Sequence, residues 1–167
     1  PLVLRRALSY ARTFNLLVLQ HPEVAELSEG GVMTEGEIST RLGLPSTPAE
    51  AEVIMVERDL RLVALTGGRY HAAHVSTAAT VDVIRNAKRD GLNVTCDTAP
   101  HYFALNETAI GDYRTFAKVS PPLRSEQDRQ AIVDGLKDGV IDAIASDHSP
   151  YDQDSKRLPF AQATFGI

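Results

Sequence analysis

Three apolar runs in this chain each stop at a side chain that can bind a metal or move a proton. NLLVLQH ends at His21, RYHAAH at His74 and VIDAIASD at Asp147. A fourth run, LNVTCDT, leads through Ala99 and Pro100 into His101. Imidazole nitrogens and carboxylate oxygens are ordinary zinc ligands. The same groups are common general acids and bases. Each has a structural reading beside the chemical one. A lone histidine at a strand end is more often a hydrogen-bonded structural residue, and Asp before His-Ser-Pro is commonly a turn residue. The coincidence favours chemistry, because every strand ends in the same kind of group. His71 stands three residues before His74, so strand alternation points the two to opposite faces. It reads as packing or as support behind the site. On spacing alone, a metal site and a set of structural residues both stay open.

Other chemistries leave no mark. No GxGxxG follows the first strand, and there is no Walker pattern. The glycines of LTGGRY precede a strand, so they stop a helix and do not cradle a phosphate. No GxSxG elbow is present. The single cysteine, Cys96, lies inside an apolar run and reads as a small buried hydrophobe. One cysteine forms no intrachain disulfide, which suits a reducing, cytoplasmic setting.

The elements that would position these residues follow from periodicity. Leu4, Leu8 and Ala11 predict a helix to about Thr13. A strand to His21 follows, then a long polar loop holding one short helix. Thr47, with Pro48 and Glu50 behind it, predicts a helix start, and Gly67-Gly68 its end. Next come a strand near His74, a helix closed by Gly91, and the LNVTCDT strand followed by a loop. Ser125 is expected to cap a helix before the last strand, VIDAIAS, and the remainder reads as loop. Alternation of this kind predicts an α/β fold with a parallel sheet and helical crossovers. In such folds ligands gather at the carboxyl ends of the strands. Four strands fit either an open Rossmann-like sheet or half of an eight-stranded barrel.

The 167 residues suffice for one domain with a real core. Net charge is −5, and the basic residues are scattered rather than clustered, so no nucleic-acid surface is expected. No apolar run approaches the ~20 residues of a membrane span. The chain opens on Pro1 and closes on ATFGI, so both ends read as cut from something longer.

Four stretches carry a family resemblance, in order along nearly the whole chain. VLQHPE, HVSTAATVDVIRNAKRDGLNVTCDTAPHYFAL, KVSPPLR and DGVIDAIASDHSPYDQDSKRLPFAQATFGI resemble class I dihydroorotase of the amidohydrolase superfamily. The resemblance implies a partial TIM (β/α)8 barrel, approximately strands five to eight with their helices. Residues 1–167 would then be a fragment of a single catalytic barrel domain, with upstream strands and a C-terminal remainder missing. It implies a zinc-dependent cyclic amide hydrolase with a binuclear Zn2+ centre, working in de novo pyrimidine biosynthesis. The reaction would be the reversible interconversion of dihydroorotate and N-carbamoyl-L-aspartate. His21, His74 and Asp147 would be metal ligands, with Asp147 also the general base, and the other ligands would lie upstream.

Ser120, Tyr151, Phe165 and Gly166 match the family's substrate-contacting positions. Two of them depart from its pattern. Ser120 stands where the family usually has Asn, and Tyr151 where it usually has His. A phenol donates one hydrogen bond but brings no positive charge. Allantoinases and hydantoinases share the DHSP and PHY motifs and are the alternative enzymes. A non-catalytic dihydroorotase-like partner of aspartate carbamoyltransferase is the alternative of another class. The expected partner is a small-molecule substrate, with no nucleic acid and no membrane, and with a homo-oligomer or association with aspartate carbamoyltransferase left open. Residues 1–167 alone are expected to be inactive, with open strand edges that invite self-association.

Overall fold

Apolar residues repeat at helical spacing in the long helices and at alternate positions in the strands, and the chain folds accordingly. The computed structural model describes residues 1–167. Helix α1 (Leu2–Thr13) precedes β1 (Leu17–Gln20). An excursion follows through α2 (Ala25–Ser28), β2 (Met33–Thr34), α3 (Glu37–Leu42) and β3 (Ser46–Thr47). Helix α4 (Glu50–Thr66) leads into β4 (Arg69–Ala72), and α5 (Ala78–Arg89) into β5 (Val94–Thr98). Then come α6 (Pro100–Ala104), two short 3-10 turns, α7 (Glu126–Lys137), β6 (Ala143–Ile144) and α8 (Gln153–Lys156).

The main sheet has the order β1-β4-β5-β6, with every neighbouring pair parallel. Helices α4, α5 and α7 are its crossovers, so the chain is α/β as its alternation predicts. The expected cap is in place at Ser125, which accepts the Asp128 N–H, and Thr77 caps α5 in the same way by accepting the Thr80 N–H.

Five local expectations are corrected, one being that the stretch after the last strand is not all loop but holds α8, capped by Asp152. Thr47 does not cap α4: it pairs with Thr34, its carbonyl accepts the Glu35 N–H at 3.0 Å, and Ala49 takes the cap position. The long loop contains two short helices and the small parallel β2–β3 pair. The segment after β5 is not loop but starts as α6, with Pro100 in its first turn. The last strand shrinks to two residues because the Asp142 carboxylate, rather than a carbonyl, takes the Cys96 N–H at 2.8 Å.

The core lies between the sheet and α1, α4, α5 and α7. Tyr70, Ala72, Val94 and Cys96 point from the strands into it, against Leu8, Val56, Ile84 and Ile132. Cys96 is buried there, and burial pushes its thiol up to about 12, which makes it inert packing. A second cluster, including Met33, Tyr102, Leu123 and Phe160, sits beneath the loops. The opposite sheet face is open: Leu17 and Leu19 are 45% and 62% exposed. Leu19, His71 and Thr95 lie in register on that face. No helix is long and apolar enough to cross a membrane.

Candidate metal and catalytic site at the strand ends

Because the sheet is parallel, every strand delivers its last residue to the same edge. His21 follows β1 directly, His74 lies two residues past β4, and Asp147 lies three past β6. His101 reaches the same place from α6. The His21 and His74 rings meet edge to face, with centroids 5.9 Å apart. Asp147 stands between two imidazoles: Oδ1 is 3.8 Å from His74 Nε2, and Oδ2 is 3.6 Å from His101 Nε2.

Two of these residues hold an unusual backbone. His74 has φ 57° and Asp147 φ 44°, in the left-handed region that non-glycine residues rarely occupy. Such conformations cost roughly 1–3 kcal/mol each and persist where surrounding structure enforces them, often at functional sites. Here they turn both side chains inward just as the strands end.

The residue that enforces the turn at His74 is Asp97, near the end of β5. Its Oδ1 accepts the His74 backbone N–H at 2.7 Å and lies 3.1 Å from His74 Nδ1. The contact with Nδ1 is close but off the hydrogen-bond line, since that atom has no hydrogen-bond partner. The backbone bond is therefore the stronger hold. Asp97 Oδ2 is 2.8 Å from His71 Nε2, and His71 Nδ1 is 2.7 Å from the Thr95 hydroxyl. A carboxylate only accepts, so His71 carries its proton on Nε2 and its Nδ1 accepts from Thr95. His71 thus supports the site from behind. Asp97 escaped the sequence reading; its one signal was an acid in a strand whose neighbours are apolar or hydroxylated.

The donor types suit a metal. With the Nδ1 proton towards Asp97, the His74 Nε2 lone pair faces the Asp147 carboxylate. Asp147 accepts no hydrogen bond, and His101 Nε2 is buried without a partner. The His74 and Asp147 acceptors therefore face each other across a gap too wide for a hydrogen bond, an arrangement that a cation would satisfy. No group of three or more His, Cys, Asp or Glu side chains closes around one point as a complete shell. The chain contributes donors of the right chemistry in pairs. Burial pulls His101 down to about 4, against the opposing influence of the Asp147 charge, so it is neutral near pH 7.

Beside Asp147 lies a cavity of about 110 Å³ lined by Ser120, Ser149, Tyr151, Phe165 and Gly166. Each of the four residues matched to substrate contacts borders it. A neighbouring cavity of about 300 Å³ shares Ser120 and Phe165 and adds Glu23 and Lys118. Two buried lysines hold the closing segment in place. Lys118 Nζ donates to the Ala161 and Ala163 carbonyls at 3.0 and 2.6 Å, and lies 4.5 Å from the Phe165 ring centroid. Lys156 Nζ donates to the Thr164 and Gly166 carbonyls. Burial lowers both ammonium pKa values, and Lys156 adds to the effect at Lys118. Neither lysine announced this role in sequence.

Gly166 is the tightest point of that segment. Its φ is +134°, and a Cβ there would overlap the Ser149 carbonyl oxygen. Gly166→Ala is expected to cost roughly 1–3 kcal/mol from backbone strain alone, read as a lower denaturation midpoint. An unchanged midpoint would show that the segment adapts freely.

No protein-family model matches the chain. A dihydroorotase of Desulforapulum autotrophicum is 50% identical over 165 residues, 99% of this chain. One of Acetivibrio thermocellus is 48% identical over the same share. Over nearly its whole length the chain is similar to dihydroorotases. It spans 39% of the length of these curated relatives. Among solved structures it resembles the D-hydantoinase of Bacillus sp. AR9, with a TM-score of 0.84 and 27% identity. The dihydropyrimidinase of Brevibacillus agri NCHU1002 gives 0.80 and 28%. Both superpositions cover 98% of this chain and 38% of the other. The sheet is thus part of a TIM-type barrel, as the motifs imply.

Proposed function

We propose that this protein performs the dihydroorotase reaction, reversibly opening the ring of dihydroorotate to N-carbamoyl-L-aspartate. The observation that carries the reading is the meeting of His21, His74 and Asp147 at one edge of the parallel sheet. Zinc, held by these three residues together with ligands from elsewhere in the protein, would supply Lewis acidity and make water nucleophilic near neutral pH. Asp147 is the proton carrier. Its carboxylate takes a proton from the attacking water as the new C–O bond forms. It returns that proton to the ring nitrogen as the C–N bond breaks, so the amide leaves neutral. Neutral His101 borders Asp147 without adding a second charge. Tyr151 and Ser120 offer hydroxyl donors to the substrate across the small cavity.

The reading extends to a cytoplasmic setting, in keeping with the lone buried Cys96. It also extends to an assembled state, as a homo-oligomer or with aspartate carbamoyltransferase, which native mass spectrometry would test. Hydantoin or dihydropyrimidine opening is the second reading. Ser120 and Tyr151 favour it, because they replace the usual Asn and His. A panel of dihydroorotate, hydantoin, dihydrouracil and allantoin, given to the zinc-loaded complete protein, separates the two. Dihydroorotate is expected to have the highest kcat/KM by about 10-fold or more, the scale at which a site built for a substrate's polar groups rejects analogues lacking them. Preference for hydantoin or dihydrouracil would sink the first reading in favour of the second.

A further inference from the structure

We infer that Asp97 is a positioning residue for the metal, and that Thr95, His71, Asp97 and His74 form one linked chain that presents His74 Nε2 to the site. The inference rests on the metal-dependent reading above. Three connections carry it. The Thr95 hydroxyl donates to His71 Nδ1 at 2.7 Å, which fits the tautomer that the acceptor-only Asp97 carboxylate selects. His71 Nε2–H then occupies Asp97 Oδ2 at 2.8 Å, which sets the plane of that carboxylate. The other oxygen, Oδ1, is left to hold the His74 backbone N–H at 2.7 Å and to face Nδ1 at 3.1 Å.

One carboxylate thus does two things for His74. It holds the backbone at φ 57°, which a histidine would otherwise leave at little cost. It also places a negative charge beside Nδ1, favouring the proton there and the lone pair on Nε2. A ligand held in its donating tautomer loses less freedom on binding, and a carboxylate behind an imidazole raises its basicity. Asp97 is buried and His71 and Thr95 are partly buried, so water competes weakly for these bonds.

An amide does not reproduce the carboxylate here. Asparagine at position 97 offers one acceptor and one donor group. With its oxygen on the His74 N–H, its NH2 faces His71 Nε2, which forces His71 into the other tautomer and removes the negative charge beside His74 Nδ1.

The test is Asp97→Asn in the complete protein, with zinc affinity measured by chelator competition on metal-free protein and kinetics measured separately. Loss of a partner of this kind typically costs about 10–100-fold in metal affinity or activity. Zinc affinity is expected to fall by that factor and kcat with it, while KM stays within about twofold of wild type. Unchanged affinity and kcat would overturn the inference, as would a raised KM at unchanged kcat, which would place Asp97 in substrate binding. Should Asp97→Asn fail to fold, Thr95→Val is measured instead. It keeps the volume and removes only the outermost bond. A measurable loss of zinc affinity supports the linked chain, and none overturns it. Wild-type protein that takes up no zinc would overturn the metal reading itself, a result distinct from equal binding by wild type and variant.

Discussion

Asp147→Asn is expected to lower kcat by about 10²–10⁴-fold, the usual contribution of a general acid–base, while leaving the fold intact. The structure separates these effects. Asp147 accepts no hydrogen bond from the chain, and its side chain is 24% exposed, so no folding contact depends on its charge. Asparagine also tolerates the left-handed backbone at φ 44°. Asp147→Ala removes the same proton carrier but adds about 1–2 kcal/mol of left-handed strain. Its activity should match the asparagine variant while its denaturation midpoint falls below it. Zinc affinity should drop less than kcat in the asparagine variant, since its amide oxygen still offers a donor. Turnover near that of wild type would remove Asp147 from the mechanism.

Glu52→Ala is expected to be the most destabilising single change, costing about 3–5 kcal/mol, the usual penalty for breaking a buried ion pair by removing one partner. Glu52 is 1% exposed on α4, and its carboxylate gathers the loop after β4. It accepts the backbone N–H groups of Ser76 and Thr77 at 3.1 and 3.2 Å and both of their hydroxyls. Arg124, 4% exposed, lies 3.8 Å away through Nη2, and its Nε donates to the Ser76 hydroxyl at 3.0 Å. Without Glu52, two buried N–H groups lose their acceptor and a buried guanidinium loses its counter-charge. A net stability of only about 5–15 kcal/mol makes that loss severe. Urea denaturation should show a lower midpoint at similar slope. Replacing Arg124 by Met in the Glu52→Ala background should recover part of the loss, because the pair is coupled. A cost below about 1 kcal/mol would mean that water replaces the carboxylate. The same network fixes the two residues after Val75, so its loss should loosen His74 too.

Much of this site is legible in the chain itself. His21, His74, His101 and Asp147 each follow an apolar run, and a parallel sheet must bring such junctions to one edge. The helix caps at Thr77 and Ser125 are equally local, since a hydroxyl finds its N–H three residues on. Thr47 shows where local signals fail. It has the cap residue type and spacing, yet pairing with Thr34, thirteen positions earlier in the chain, claims its backbone. The last strand fails in the same way, because the Asp142 side chain replaces a ladder carbonyl.

The sequence by itself determined the element order, the strand-end placement of the candidate ligands and, through its motifs, the likeness to dihydroorotases. Those follow from periodicity and residue type, which act over a few neighbours. Only the tertiary structure decided what supports the site. Asp97 meets His71 and His74 across adjacent strands, and Glu52 reaches Ser76 from the preceding helix. Lys118 and Lys156 pin the closing segment through backbone carbonyls, which carry no residue-specific signature. A buried charge needs partners wherever packing supplies them, and packing joins residues that the chain keeps far apart.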